Sequence, residues 1–345
     1  MRIIPTIAMA ALPLLAGCAS ESTDESPAAV EATEVVELPE VVVTYSVLGS
    51  VVSELVGDNA EVTVVIPDGI DPHNFEPSAK DIETINNATL VVANGLDFEE
   101  GLEDVLAGLA AGQVFFAADH ITTRAMKDEK DHAHDEHAHE DEHAHEDDHK
   151  DETSTTVTEE AGHDEHAHDD HAHDEHGHDG ADPHLWLSPF AVSEFVDELT
   201  STLETALGAD LSERSAALLA SLNSLDAEIA ERFTSLESCD LVTGHDELGY
   251  FADRYGCEMI GAVVPSASTS AEASAQQLAE LKELVEKHGV KAIFTSVGTP
   301  QNVAEQVANE TGVPLVELST HVMGESDTYA DFMRVLTDDV VNALS

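Results

Sequence analysis

Histidine carries most of the metal-binding chemistry in this 345-residue chain, and fourteen of its twenty histidines lie within residues 128–182. In this histidine-rich segment, His alternates with Ala, Asp and Glu. Neutral imidazole is the commonest protein ligand for zinc and similar transition metals. We therefore expect a disordered loop that serves as an auxiliary metal-binding region. Its histidines are His132, His134, His137, His139, His143, His145, His149, His163, His166, His168, His171, His173, His176 and His178.

Three histidines outside this segment stand in more ordered surroundings. His73 lies in PDGIDPHNFEP, His184 in DPHLWLSP and His245 in LVTGHDELGYF. Two of them follow Asp-Pro, and the proline ring restricts the backbone, so each ring is expected on a stiff loop beside an aspartate that accepts its second N–H. Together the three settings indicate a functional role for these histidines, and metal-binding histidines usually have such an acceptor for the second ring N–H. Protonated imidazole cannot bind metal, so we expect loading to weaken below about pH 6.5.

The elements that must position these rings follow from hydrophobic periodicity. Alternating strand and helix patterns predict an α/β fold of two lobes, each with a parallel sheet flanked by helices. In the first half we predict strands at 41–45, 62–66, 90–93 and 114–117, and helices at 47–56, 78–86, 98–108 and 189–207. In the second half we predict strands at 241–243, 259–264, 292–295 and 315–318, and helices at 247–255, 271–288, 300–311 and 328–344.

A long apolar stripe predicts one helix over 211–238, with Asp210 and Glu213 as a capping box. Such a helix would run roughly 40 Å, which suits a rigid strut between lobes better than part of one compact core. The predicted organisation is an N-terminal lobe at 41–209, a linking helix at 210–238 and a C-terminal lobe at 239–345. Ligands of parallel sheets bind at the carboxyl ends of strands, so we expect the metal site in the cleft between the lobes.

The start of the chain predicts export and lipid anchoring. Residues 1–17 have one basic residue and then an apolar stretch too short to span a bilayer, which is typical of a signal peptide. Cys18 follows Leu-Ala-Gly, so we expect cleavage before it and lipidation; the alternative is an ordinary secretory signal. Residues 18–40 read as a flexible acidic tether. The expected location is extracytoplasmic, anchored to a bacterial membrane.

Charge and cysteine content narrow the possible partners and the compartment. The net charge is −58, which argues against nucleic acid or anionic lipid as a binding partner. Outside the cytoplasm a disulfide between Cys239 and Cys257 is allowed, because each cysteine precedes a predicted strand. Two buried free thiols are the alternative.

Three segments also resemble a known family. PDGIDPHNFEP, DPHLWLSP and GHDELGYF are similar to the three metal-site motifs of the zinc- and manganese-type substrate-binding proteins of bacterial ABC importers. The resemblance extends over essentially the whole mature chain, including the His-rich acidic loop before the second metal histidine. It implies a metal bound between two lobes by His73, His184 and His245, and an ABC permease as partner.

The chain departs from the manganese-type pattern at the fourth ligand. Ser296 and Ser319 stand where those relatives carry carboxylates. Three imidazoles without an acid from the second lobe favour zinc, because Mn²⁺ prefers oxygen. The fourth position is then expected to hold water or His321.

These observations predict a monomeric, non-enzymatic lipoprotein that captures Zn²⁺ and delivers it to a membrane permease, with the histidine-rich segment as a mobile collector. The alternatives are a zinc buffer that works without a transporter and a manganese-importer subunit. A secreted metallo-hydrolase would suit three histidines and an open position, but outside the histidine-rich segment the sequence has no HExxH-type pairing.

Overall fold

The computed structural model describes residues 38–126 and 180–345. Several sequence predictions fall outside these residues: the signal peptide, Cys18, nearly all of the tether and the fourteen histidines of the histidine-rich segment. Among the helices of the described ranges, none has both the length and the apolar character needed to cross a membrane.

The first of two four-stranded sheets in the described residues is entirely parallel, with strand order β2-β1-β3-β4. Its strands are β1 (Glu40–Val43), β2 (Glu61–Val64), β3 (Leu90–Ala93) and β4 (Val114–Phe116). The helices around it are α1 (Ser46–Val56), α2 (Ala79–Asn87), α3 (Glu103–Ala107) and α4 (Pro189–Leu207). We call this part the first lobe.

The second sheet repeats the arrangement, with parallel order β6-β5-β7-β8. Its strands are β5 (Asp240–His245), β6 (Glu258–Val264), β7 (Ile293–Ser296) and β8 (Leu315–Leu318). After the long helix α5 (Ser212–Phe233), the helices of this half are α6 (Gly249–Tyr255), α7 (Ala275–His288), α8 (Asn302–Thr311) and α9 (Tyr329–Leu344). We call this part the second lobe. The predicted fold class is confirmed.

The long helix differs from its prediction in three ways. It begins after Leu211 without a side-chain cap, so the predicted capping box of Asp210 and Glu213 is wrong. Asp210 instead accepts from the backbone and hydroxyl of Ser212. The helix ends at Phe233, and its 22 residues span about 33 Å. Its buried stripe belongs to a hydrophobic core that also contains residues of both sheets, so it is not a free-standing strut.

The predicted helix at 98–108 also starts too early. Leu96 and Asp97 have positive φ angles of 56° and 57°, which turn the chain sharply. Phe98 therefore lies in a turn, and a short 3-10 helix (Glu100–Leu102) precedes α3. The turn brings the buried Phe98 ring against the ring of His73.

Cys239 and Cys257 are joined by a disulfide in the structure. The two residues stand directly before β5 and β6, at the amino ends of neighbouring strands. Since His245 is the last residue of β5, the bond lies at the opposite end of the sheet from the cleft.

Candidate metal centre

His73 and His184 are held by matching local structures in the first lobe. Each follows Asp-Pro, and in each case the aspartate accepts the histidine's backbone N–H, at 3.1 Å from Asp71 and 3.0 Å from Asp182. His73 sits in a one-turn 3-10 helix that proline starts, and His184 precedes another. The stiff loops predicted from the two triplets therefore form.

The two aspartates differ in what they do to the ring. Asp182 also accepts the Nδ1–H of His184 at 2.8 Å, which leaves the lone pair on Nε2 for a metal. Asp71 binds the backbone of His73, and its other oxygen accepts from Asn74 and from Thr269 of the second lobe. The prediction that aspartate orients the ring holds for His184. For His73 the nearest acid to Nδ1 is Glu100, at 3.8 Å.

His245 comes from the second lobe, at the carboxyl end of the central strand β5. Its Nε2 lies 3.3 Å from Nε2 of His184. Two ligands at about 2.0–2.1 Å from a tetrahedral zinc ion stand about 3.3–3.4 Å apart, so this separation fits a shared ion.

The structure brings His73, His184 and His245 together as predicted. One ligand nitrogen from each lies within 4.8 Å of the others, and all three side chains are buried. We call this group the histidine trio. Neither ring nitrogen of His73 has a hydrogen-bond partner in the described part of the chain. Because an unpaired buried polar atom is costly, the trio is a site that a metal ion would complete.

Burial disfavours the protonated form of two rings of the trio. Loss of solvent lowers the pKa of His73 to about 3, and the positive charge of a protonated His184 would lower it further. Burial also lowers the pKa of His245 well below its ordinary value. Both shifts disfavour protonation of these two rings, and the expected weakening of metal loading below about pH 6.5 stays a prediction.

An aromatic wall backs the trio. The Phe98 ring centroid is 5.0 Å from that of His73, and the Trp186 ring is 5.4 Å from that of His184. The indole N–H of Trp186 donates to the backbone oxygen of Thr320 in the second lobe. This wall removes water from one side of the rings and ties their positions to both lobes.

A buried carboxylate that the sequence analysis missed lies beside the trio. Glu247 is 1% exposed, and its Oε2 is 3.7 Å from Nε2 of His245. Its Oε1 accepts a hydrogen bond from Ser296. Burial raises the pKa of Glu247, while the nearby His184 and the hydroxyls of Ser296 and Thr320 act in the opposite direction. The available signal is an acid two residues beyond a candidate ligand at a strand end, but the predicted helix at 247–255 includes this residue.

His321 and Ser319 take different positions. His321 is buried, its Nε2 has no partner among the described residues, and burial lowers its pKa to about 4. It is close enough to interact electrostatically with the trio but lies outside the group within 4.8 Å. Ser319 is half-buried and lines another cavity, beside Met323 and Gly324. Ser319 contributes no carboxylate, and Glu247 is a buried acid of the second lobe near the trio.

A cleft of about 710 Å³ leads to the trio. His73 lies in its wall together with four acids, Asp97, Glu100, Glu103 and Asp246. Met126 and Gly180, which border the histidine-rich segment, line the same cleft. The two ends of the segment are joined there, because Met126 donates its N–H to the Gly180 oxygen at 2.6 Å.

Two parallel-sheet lobes with a buried trio of histidines between them define a metal-binding protein. Residues 41–343 match the family described as zinc-uptake complex component A, periplasmic, and the chain belongs to this family. The resemblance to the zinc- and manganese-type substrate-binding proteins of ABC importers is thereby confirmed. So is the prediction that the chain is not an enzyme.

Individual relatives include proteins named for both metals. The zinc-binding protein AdcA of Streptococcus pyogenes is 28% identical over 318 residues, covering 85% of this chain and 54% of AdcA, so the chain spans about half the length of that relative. The manganese-binding lipoprotein MntA of Halalkalibacterium halodurans is 23% identical, covering 96% and 95%. The periplasmic zinc binding protein TroA of Treponema pallidum has the same fold, with a TM-score of 0.67, 22% identity and coverage of 89% and 99%.

Proposed function

We propose that this protein captures Zn²⁺ between its lobes outside the cytoplasm and delivers it to an ABC-type permease. The observation that carries the proposal is the histidine trio, in which both lobes contribute buried imidazole nitrogens close enough to share one ion. Burial disfavours protonation of His73 and His245, so these two rings are ready to bind metal without first losing a proton. Capture at a cleft between lobes also gives a route to release, because moving the lobes apart would separate His245 from the other ligands.

Zinc is the proposed cargo, and manganese is the alternative. Three imidazoles suit zinc better than manganese. The sequence favours zinc on the assumption that the second lobe offers no carboxylate. Glu247 lies beside the trio, so this reason for preferring zinc is weaker in the structure. Relatives named for zinc and for manganese leave both open, so direct competition between Zn²⁺ and Mn²⁺ decides the cargo.

The histidine-rich segment is proposed to collect zinc for the trio. Its ends are held together at the cleft by the bridge between Ala125 and Ala181. Metal bound weakly anywhere in the segment would therefore stay tethered near the cleft, which raises the local concentration. The acids in the cleft wall add attraction for a cation along the way.

The remaining parts of the proposal concern the anchor and the assembly. Cys18 would carry a lipid, and the residues that follow it would hold the folded body away from the membrane. A disulfide at Cys239 and Cys257 suits an oxidising compartment outside the cytoplasm. We propose that the binding protein works as a monomer.

Removing the histidine-rich segment separates a transporter subunit from a zinc buffer. Since Met126 and Gly180 are hydrogen-bonded neighbours, residues 128–179 can be replaced by a short Gly-Ser loop. We expect the shortened protein to retain one tightly bound zinc ion per chain, because the trio is untouched. Equilibrium dialysis followed by elemental analysis measures the bound zinc, with the full chain as control.

Loss of nearly all zinc from the shortened protein would favour the buffer instead. A folding defect is separated from this outcome by the thermal unfolding curve of each protein without metal.

A further inference from the structure

We propose that Glu247 is the fourth ligand of the ion held by the histidine trio, binding it through Oε2. The inference rests on the proposed function, since it takes the trio as the cargo site. It adds a residue that stands at neither of the positions, 296 and 319, where manganese-type relatives carry acids.

The distances place this carboxylate beside the space between the rings. Oε2 of Glu247 is 3.7 Å from Nε2 of His245, and that nitrogen is 3.3 Å from Nε2 of His184. Ligand atoms around a tetrahedral zinc ion stand about 3.3–3.4 Å apart. Like His321, Glu247 lies outside the group of ligand atoms that are all within 4.8 Å of one another, so binding requires its side chain to move toward an ion held by these two nitrogens.

The surroundings of the buried Glu247 carboxylate also favour its role as a metal ligand. The side chain is 2% exposed, and its ion-pair contact within the described residues is with His245. Among the described residues, no lysine or arginine nitrogen lies within 4.0 Å of this carboxylate. A buried carboxylate without a counter-charge is costly. A divalent cation in the trio would supply the missing charge.

The other oxygen of Glu247 is already held. Ser296, the last residue of β7, donates its hydroxyl to Oε1. Fixing one carboxylate oxygen orients the other, as supporting hydrogen bonds commonly do around metal ligands. Position 296 therefore holds a serine that supports the acid, and the acid itself lies at Glu247, in the loop after β5.

The single tryptophan of the chain gives a readout specific to this site. Trp186 is the only tryptophan, and its ring lies 5.4 Å from that of His184. Co²⁺ quenches nearby indole fluorescence, so its binding to the full chain can be followed at Trp186 even with the histidine-rich segment present. Displacement of Co²⁺ by Zn²⁺ or Mn²⁺ then gives the affinity for each metal.

We expect Glu247→Gln to weaken zinc binding by at least about tenfold, because the neutral amide keeps the shape but loses the charge. The loss should be larger for Mn²⁺, which depends more on oxygen ligands. A purely structural role for Glu247 would weaken both metals equally.

Glu100→Gln is the matched control. Glu100 lies 3.8 Å from a ring nitrogen of His73, but its side chain is 38% exposed. Removing this charge tests whether any nearby acid produces the effect, and we expect less than about a threefold change because solvent screens exposed charges. His321→Gln tests the rival fourth ligand, and we expect it to bind zinc nearly as well as the wild type.

The outcomes separate the inference from the proposed function. Unchanged zinc affinity in Glu247→Gln, or a large loss only in His321→Gln, would overturn the inference and leave the trio in place. Absence of any Trp186 response in the wild type would overturn both. If Glu247→Gln does not fold, a crystal structure of the zinc-loaded wild type decides: the inference expects Oε2 about 2.0–2.2 Å from zinc, and a water ligand with Oε2 beyond about 3 Å contradicts it.

Discussion

The two lobes differ in where the acid beside each site histidine lies in the sequence. In the first lobe, aspartates that precede His73 and His184 hold the backbone of each histidine. In the second lobe, His245 ends a buried strand, and the acid beside it, Glu247, follows it in sequence and faces the trio. The first lobe thus holds its two histidines through aspartates that precede them, and the second lobe places a buried carboxylate beside its imidazole.

The comparison also holds within the first lobe. Asp182 accepts a hydrogen bond from the ring of His184. Asp71 accepts from the backbone N–H of His73 and from the hydroxyl of Thr269 in the second lobe, but not from the His73 ring. The two triplets share a sequence but not a role. One aspartate sets the ring's tautomer, and the other fixes a loop against the opposite lobe.

Substituting each aspartate by asparagine sharpens this contrast. We expect Asp182→Asn to weaken zinc binding by about 10–100-fold, because the ring of His184 loses its charged acceptor. Asp71→Asn should cost less than about tenfold, since no ring contact is lost. The Trp186 displacement titration described above measures both affinities.

Asp182 also binds Arg124, at 3.0 Å, so this second contact needs a control. Arg124→Gln removes the guanidinium and leaves Asp182 beside His184. If Arg124→Gln weakened zinc binding as much as Asp182→Asn, orientation of the ring would not be the reason. Equal losses of zinc affinity in Asp182→Asn and Asp71→Asn would show that the two aspartates do not differ in role.

A smaller effect is expected on the stability of the metal-free protein. His73 and His321 have pKa values of about 3 and about 4 in the folded protein, against about 6.5 when unfolded. The unfolded chain therefore binds more protons below pH 6.5, and folding stability falls as the pH drops from there toward 4. Each such group contributes up to about 1.4 kcal/mol per pH unit.

His321→Gln removes one of these groups without touching the trio. Its melting temperature should fall less than that of the wild type between pH 7 and pH 5, as measured by thermal unfolding with a chelator present. His288→Gln changes an exposed histidine at the end of α7 and should follow the wild type. Parallel curves for His321→Gln and the wild type would show that burial does not keep His321 neutral.

Much of the fold could be predicted because apolar periodicity reports burial. Strands β3 and β8 and helix α4 match the predicted ranges, and both sheets are parallel as expected. The errors arose where backbone geometry or a distant contact decided the structure. Positive φ angles at Leu96 and Asp97 delayed a helix, and Asp210 bonded to Ser212 in place of capping α5 through Glu213.

The site could be predicted in part for a similar reason. The stiff Asp-Pro-His triplets and the strand end at His245 are local signals, and they identified the three rings that meet. Glu247 was missed because its significance depends on Ser296, which is 49 residues away in the chain and lies on the neighbouring strand. No local pattern indicates that contact.

The central claim is that both lobes hold one ion through three imidazoles, and a zinc titration that follows Trp186 tests it most directly. The full chain is compared with the variant His73→Gln/His184→Gln/His245→Gln, which keeps the histidine-rich segment. We predict an emission change that is complete at one zinc ion per wild-type chain and absent in the variant, although the variant still binds zinc elsewhere. The same change in both proteins would contradict the account.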